Sequence, residues 1–252
     1  MAQEHSGRGD ISRSLALMWH FELGEGQRGP KPRLSLDAIV AAAVDVADAE
    51  GLDAVSMRRI AQELGVGAMS LYRYVPSKEE LLDLMLERVN APEDDATLGT
   101  DWRVAMETVG HSLWALHTRH PWLPLVDQTR PLLGPNALRG LDVALAALTG
   151  TGLTSQEQVA MIVAIEAVVV SAARNHNGAT LAEKSTGISH EEFWAAQEPV
   201  LAAAMESGRY PHVAGLDEEA FSMAGEEFMR FALGTLLDGF AVLVESRATG
   251  AL

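Results

Sequence analysis

The segment from Ser56 to Lys78, SMRRIAQELGVGAMSLYRYVPSK, constrains the fold more than any other part of the chain. Two short helices that cross steeply need a small residue where their backbones approach, and Ala61 supplies it on the first helix. Gly65, four residues later, enters the left-handed backbone conformation without steric cost and ends that helix. The segment therefore predicts a helix-turn-helix.

The phasing of this segment separates an apolar side from a polar one. The inward positions of the predicted helix pair hold Ile60, Leu64, Val66 and Leu71. The outward positions hold Arg58, Arg59, Ser70, Tyr72, Arg73, Tyr74 and Lys78. Because this outward set is basic, aromatic and hydroxylic, it suits a surface that meets phosphates and base edges. The alternative is an ordinary helical hairpin with a glycine in its turn.

The same segment carries a family resemblance. Together with the preceding LSLDAIVAAAVDVADAEGLDAVS and the following KEELLDLMLERV, it resembles the TetR family of one-component transcriptional repressors. The match is closest in MRRIAQELGVGAMSLYRYVPSKEELL, and it covers about a fifth of the chain when the preceding helix is included. Beyond residue 90 there is a general likeness to actinobacterial-type members with a long helical C-terminal domain.

The resemblance implies roles for residues of this segment. Arg58 would reach a base edge, while Ser56, Tyr72, Tyr74 and Lys78 would hold phosphates. Ser70 and Arg73 belong to the same implied DNA surface. The chain departs from richer family members at Gly67, Ala68 and Met69, where polar base-reading side chains often sit. At these positions we expect recognition by DNA shape or by apolar contact with thymine methyl groups.

The net charge of −16 opposes DNA binding, which rests largely on phosphate neutralisation by Lys and Arg. The charge is unevenly distributed, however. Residues 28–78 hold seven basic and six acidic residues and so carry +1, whereas the rest of the chain sums to −17. Because the field falls off over roughly 10 Å at physiological salt, the local face matters more than the distant acidic part.

Several classes of function are disfavoured. The chain has no cysteine, which excludes disulfides and thiol catalysis and fits a cytoplasmic location. The longest apolar run, residues 159–173, is too short to span a bilayer and contains Glu166, so we expect a buried helix and no membrane association. No phosphate loop, GxSxG, HExxH or calcium-loop motif is found, so we expect neither an enzyme nor a cofactor.

A metal site is also disfavoured. From His111 to His117 the helix turns by about 240°, so these two side chains point in different directions. His120 precedes Pro121, where that helix should end.

The positions of Gly, Pro and helix-capping residues predict that the chain is divided into three segments. Residues 1–33 form an extension with a short helix from about Ser12 to Phe21, residues 34–90 a helix-turn-helix domain, and residues 91–252 a helical domain for ligand binding and dimerisation. In the extension, RGPKPR resembles an arm whose Arg28, Lys31 and Arg33 lie in a minor groove; an ordinary tail is the alternative. No strand pattern is visible, so the fold class is all-α.

Helices are predicted in the last part at about 101–119, 135–149, 155–183, 190–206 and 218–247. Those at 155–183 and 218–247 are too apolar for the surface of a lone monomer. Members of the TetR family dimerise through the corresponding two helices, so the resemblance implies a homodimer. The alternative is that both are central helices of a monomer.

The resemblance further implies a small-molecule pocket in the C-terminal domain. Candidate effector residues are Trp102, Met106, His111, Trp114, His117, Trp122, Met161, Glu166 and Arg174. Aromatic and Met side chains at helical spacing also suit an ordinary core, and Glu166 also suits a buried pair with Arg or a hydroxyl.

Together these features predict a homodimeric repressor that binds a near-palindromic double-stranded DNA operator and is released by a small, hydrophobic effector. The alternative is a small-molecule carrier or sensor whose DNA-binding head is vestigial.

Overall fold

The computed structural model describes residues 4–23, 34–91, 98–217 and 219–249. Over these ranges the chain is all-α, as the sequence predicts, and an isolated bridge between His5 and Asp127 is the one β pairing found. The α-helices are α1 (Ile11–Leu23), α2 (Leu36–Glu50), α3 (Met57–Glu63), α4 (Ala68–Leu71), α5 (Lys78–Val89), α6 (Trp102–Arg119), α7 (Pro135–Ala147), α8 (Ser155–Thr186), α9 (His190–Ala195), α10 (Glu198–Glu206), α11 (Pro211–Ala214) and α12 (Gly225–Thr249).

We call residues 34–90 the head. Three serines begin its helices: Ser35 accepts the N–H of Ala38 at 3.1 Å, Ser56 begins α3, and Ser77 begins α5. Each satisfies backbone donors that the first helical turn leaves without partners. The caps therefore set where the helices of the head start.

The turn between α3 and α4 has the geometry that the sequence predicts. Gly65 adopts a φ of +66°, and the N–H of Val66 donates to the carbonyl of Ala61 at 2.9 Å. Ala61 is buried between the helices, and Ile60 and Leu71 are fully buried. A side chain larger than Ala at position 61 would push α4 away, so the small residue and the glycine together fix the angle of the helix pair.

We call the described residues from 98 onward the body. Its core lies between α6, α8 and α12, where Met106, Met161, Ile165 and Met229 are completely buried. Gly110 of α6 lies against Leu233 of α12, and a Cβ there would overlap a methyl carbon of Leu233. The backbone of α6 thus comes unusually close to α12.

The N-terminal extension is a packed element of the structure. We call residues 4–23 the strap. The buried hydroxyl of Ser14 donates to Asp83 Oδ2 at 2.7 Å, and the N–H of Gly7 donates to Asp83 Oδ1 at 2.8 Å. Met18 is 2% exposed and belongs to the core of the head. The strap is therefore tied to α5 by both polar and apolar contacts.

The strap also contacts the body. The N–H of Ser6 donates to the carbonyl of Asp127, and the N–H of Asp127 donates to the carbonyl of Glu4, both at 3.0 Å. Trp122, Leu123 and Val126, which follow α6, are buried in the same core as the head residues. The head, the strap and the segment after α6 therefore share one apolar core.

Two of the predicted helices need correction. The stretch 190–206 is two helices, α9 and α10, interrupted at Ala196 and Gln197, and α12 begins at Gly225 instead of near residue 218. Gly225 has a φ of +55°, a backbone conformation that favours glycine, so the helix does not extend through the preceding residues. The apolar helical periodicity of the sequence indicates neither the break between α9 and α10 nor the later start of α12.

The Ser14 contact predicts a stability effect. Ser14→Ala removes a donor from the buried Asp83 carboxylate, whose pKa burial raises, and should lower the free energy of unfolding by about 1–3 kcal/mol in urea titrations. Ser12→Ala, on the exposed side of the same helix, is the matched control and should change it by less than about 0.5 kcal/mol. Equal effects of the two variants would contradict a structural role for the strap.

Candidate DNA interface and effector site

The outer face of the α3–α4 pair is exposed and basic. Arg58, Tyr72 and Arg73 are exposed, and Met69 at the start of α4 is 78% exposed. The core of the head therefore does not bury this large apolar side chain. The exposure and charge of this face are compatible with the base-reading and phosphate-holding surface predicted from the sequence, and that role stays a prediction.

Three further predicted phosphate ligands have partners within the protein. Ser56 Oγ accepts the N–H of Arg59 at 3.2 Å, which leaves its own hydroxyl proton free to donate. Tyr74 is half-buried and packs against the core of the head. Lys78 Nζ donates to Glu4 Oε1 of the strap at 3.0 Å.

Arg59, which the phasing also places outward, serves the fold of the head. Its guanidinium lies 2.6 Å from Glu50 Oε1 and 2.8 Å from Glu63 Oε2. Hydrogen bonds to these two carboxylates raise the pKa of Arg59 and lower that of Glu50. The group therefore bridges α2 and α3, and its charge is already neutralised.

The other predicted DNA-contact positions differ in their surroundings. Gly67 precedes α4 with open space where a Cβ would stand. Ala68 is half-buried against the core of the head, so its methyl group supports α4 as well. Ser70 is half-buried. Arg28, Lys31 and Arg33 lie outside the described residues.

The nine predicted effector residues of the body do not form one cluster. Met106 and Met161 are completely buried in the body core and fill space between helices. Trp102 is half-buried against the same core, whereas His111 is exposed. Trp122 lies in the other core, next to the head.

Trp122 belongs to a polar junction between head and body. Its indole N–H donates to Asp48 Oδ1 of α2 at 2.7 Å, and Asp48 also lies 2.8 Å from His120 Nδ1. Sequence reasoning did not single out Asp48, because its partners lie more than 70 positions away. A surface carboxylate on α2 gives no sequence signal of such a pairing.

Glu166 and Arg174 of α8 have separate surroundings. Glu166 is exposed, on the same side of α8 as the exposed Val159 and Val163, and turned away from Met161. Desolvation by the surrounding protein still raises the pKa of its carboxyl. Arg174 donates from Nε and a terminal nitrogen to the carbonyl of Pro124, at 3.0 and 2.7 Å. Within the body, α8 is thus linked to the segment that follows α6.

His117 of α6 is the most unusual polar group of the body. It is 3% exposed, and its buried Nδ1 has no hydrogen-bond partner among the described residues. Burial, and then the nearby charges of His120 and Arg174, lower the pKa of His117 to about 4. The ring is therefore neutral near pH 7, and its Nδ1 retains the capacity for one hydrogen bond. One turn earlier, Trp114 contacts His176 of α8 with ring centroids 5.4 Å apart.

A cavity of about 540 Å³ opens at the junction of head and body. Its lining includes Met18 of the strap, Leu84 and Glu87 of α5, and Asn136 of α7. None of the nine predicted effector residues lines it. Glu87 Oε1 accepts the N–H of Asn136 at 2.6 Å, so the wall of this cavity is itself a contact between head and body.

Comparison with known proteins agrees with this arrangement. Residues 39–85 match the description "Bacterial regulatory proteins, tetR family", and residues 95–244 match "Tetracyclin repressor-like, C-terminal domain". The first range contains the helix-turn-helix and most of α5. The second contains α6 to α11 and nearly all of α12.

Individual relatives extend over almost the whole chain. The chain is 50% identical to the HTH-type transcriptional repressor DrrR1 of Streptomyces coeruleorubidus, over 97% of this chain and 90% of that protein. Among solved structures it is similar to apo ActR from Streptomyces coelicolor, with a TM-score of 0.67 and 26% identity over 86% of this chain and 99% of that one. The structure of ActR in complex with actinorhodin is also similar, with a TM-score of 0.59 and 25% identity over 86% and 99% of the two chains.

The buried His117 predicts how stability depends on pH. Its pKa is about 4 in the folded chain, against about 6.5 unfolded, so between these values the unfolded chain binds the extra proton. The neutral His117 therefore contributes to the free energy of unfolding in full above pH 6.5. As the pH falls toward 4, this contribution is lost, and the free energy of unfolding decreases by on the order of 3 kcal/mol. Urea titrations across this range should show His117→Gln losing less stability than the wild type.

His111→Gln, an exposed position on the same helix, is the matched control. It should leave the pH dependence of the wild type unchanged. A wild-type loss of stability no larger than that of His117→Gln would show that His117 does not titrate as its burial requires.

Proposed function

The chain belongs to the TetR family of bacterial regulatory proteins, and on this premise we propose that it is a homodimeric repressor that binds a near-palindromic operator and is released by a small, hydrophobic effector. The observation that carries the proposal is the exposed face of the α3–α4 pair, where Arg58 and Arg73 flank the exposed Met69 and Tyr72. A relative that is 50% identical over nearly the whole chain is named a transcriptional repressor, which supports repression over activation.

In this proposal residues 34–90 bind DNA, and residues 91–252 bind the effector and form the dimer. The matched ranges 39–85 and 95–244 support this division. Arg58 reaches a base edge and Met69 contacts a thymine methyl group, while Ser56, Tyr72 and Lys78 hold phosphates. A protein with this role acts on the chromosome, which in a bacterium is in the cytoplasm.

The dimer is proposed to form through α8 and α12. Exposed apolar side chains share one face of α12, at Phe228, Phe231 and Val242, opposite the buried Met229 and Leu233. Val159 and Val163 form an exposed apolar face on α8 as well. Length and composition alone would also let α8 cross a membrane, but core helices of soluble proteins pass the same test. An isologous four-helix contact would bury both faces.

The effector is proposed to bind within the body near Trp114 and His117. Trp114 offers an aromatic surface, and the neutral His117 offers a hydrogen-bonding atom that no group of the described residues uses. ActR, which this chain resembles in fold, has been solved with actinorhodin bound. We therefore propose a hydrophobic ligand that carries at least one group able to hydrogen-bond with an imidazole.

Release would follow from the spacing of the two heads. Half-sites of an operator lie about 34 Å apart per helical turn, so a small rotation of α5 spoils simultaneous contact. The effector needs only to prefer the mismatched arrangement. A preference of about 2.7 kcal/mol shifts the equilibrium about a hundredfold. The contacts of Trp122 with Asp48 and of Glu87 with Asn136 connect the body to the head along this route.

DNA binding is tested with a labelled duplex that carries the promoter region of the chain's own gene and with a random duplex. The wild type should prefer the promoter. Arg58→Ala should cost about 1–3 kcal/mol on the promoter and relax sequence preference. Arg119→Ala, which removes an exposed Arg at the end of α6, is the control and should bind like the wild type. Adding actinorhodin or other aromatic compounds should release the promoter if they fit the effector site.

Failure of the wild type to bind the promoter under low-salt conditions would favour a carrier with a vestigial head. Equal losses for Arg58→Ala on promoter and random DNA would remove Arg58 from base recognition. A compound that binds the protein in thermal-shift measurements but never releases DNA would separate ligand binding from regulation.

The dimer is tested by paired valine substitutions. Val242→Asp introduces a charge into the apolar face of α12, where burial of an unpaired charge costs several kcal/mol, and should give monomers in sedimentation experiments. These monomers should lose promoter binding steeply, because the second half-site contact is no longer intramolecular. Val104→Asp, at an exposed valine of α6, should remain dimeric. A Val242→Asp protein that stays dimeric would place the interface elsewhere.

A further inference from the structure

The strap holds a carboxylate on one of the proposed phosphate ligands. Glu4 Oε1 accepts a hydrogen bond from Lys78 Nζ at 3.0 Å, and both side chains are about one-third exposed or less. Lys78 is the first residue of α5, beside the helix-turn-helix. A carboxylate and a phosphate make the same demand on an ammonium group, a charge-assisted hydrogen bond from the same protons. Glu4 therefore occupies Lys78 in the way that a DNA phosphate would.

The position of Glu4 is fixed from two sides. Its carbonyl accepts the N–H of Asp127 at 3.0 Å, which ties it to the segment that follows α6. Three residues further along the strap, the N–H of Gly7 donates to Asp83 at 2.8 Å. An isolated exposed ion pair contributes little because both long side chains must be ordered, but here the backbone of Glu4 is already ordered. The pairing with Lys78 is therefore more than a chance contact of two flexible side chains.

We propose that Glu4 is an autoinhibitory phosphate mimic that competes with DNA for Lys78. The proposal rests on the function proposed above in one respect, the contact of Lys78 with a phosphate. In the conformation described here Lys78 is occupied, and DNA binding must displace Glu4. The strap thus lowers DNA affinity without touching a base, so it acts on all sequences alike.

Helix α8 of the body controls this contact through the segment that ends at Asp127. The segment between α6 and Asp127 accepts hydrogen bonds from Arg174 of α8 at the carbonyl of Pro124. A displacement of that segment moves Asp127, and with it the backbone of Glu4. The strap therefore gives the body a path to the DNA-facing surface that is separate from a rotation of α5.

A second cation, Arg8, also lies close to Glu4, and the test must distinguish it from Lys78. Arg8 of the strap lies 3.9 Å from Glu4 Oε2, so removal of the Glu4 charge also frees a second cation. A gain in DNA affinity from Glu4→Gln could then come from either cation. A double-mutant cycle with Lys78 separates the two sources, because only the Lys78 contribution vanishes when Lys78 is replaced.

The experiment measures binding of the full chain to the labelled promoter duplex and to the random duplex over a series of salt concentrations. Glu4→Gln should tighten binding to both duplexes by about two- to fivefold at low salt. It should steepen the salt dependence by up to about one unit. Lys78→Gln should weaken binding to both, and Glu4→Gln in the Lys78→Gln background should have no further effect. Glu206→Gln makes the same change of charge at an exposed position on α10 and should bind like the wild type.

Each outcome decides between distinct conclusions. If the wild type binds neither duplex, the proposed function fails and the strap inference fails with it. If the wild type binds and Lys78→Gln weakens binding, but Glu4→Gln has no effect, only the strap inference is overturned. Weaker binding by Glu4→Gln also overturns it, because Glu4 would then be orienting Lys78 toward DNA. A gain that persists in the Lys78→Gln background assigns the effect to Arg8 and likewise overturns the proposal.

Discussion

A buried carboxylate, Asp83 of α5, holds the N-terminal strap on the rest of the molecule. Its two oxygens accept hydrogen bonds from the hydroxyl of Ser14 and the N–H of Gly7. A buried carboxylate without donors would be strongly unfavourable, so the strap and α5 require each other. Helix α5 also starts beside the helix-turn-helix and ends at the contact of Glu87 with Asn136. Asp83 therefore holds the strap on the same helix that connects the head to the body.

The helix-turn-helix was predictable because its determinants are local. Serine caps, the positive φ of Gly65 and the burial of Ala61 all depend on neighbours within a few positions in sequence. The strap contacts and the pairing of Asp48 with Trp122 join residues about 70 positions apart. Hydrophobic periodicity records which face of a helix is buried, but it does not record the partner. The short helix in the extension was therefore predictable, whereas its docking site was not.

The effector site was also only partly predictable from the sequence. Met106, Met161, Trp114 and His117 were all predicted from residue type and helical spacing, and those criteria do not distinguish a pocket wall from a packed core. The structure separates them by environment: the two methionines fill the body core, while His117 keeps a buried nitrogen that has no partner in the described part of the chain. Unused hydrogen-bonding capacity is a property of the folded surroundings, so no sequence pattern could have revealed it.

The docking of the strap has a consequence for the order in which the chain folds. Glu4 and Ser14 leave the ribosome well before their partners Lys78, Asp83 and Asp127 are synthesised. The helices of the head can form as they emerge, because their contacts are mostly local. The strap must remain undocked until α5 and the segment after α6 have been made. The strap is therefore synthesised before the head but reaches its final place after it.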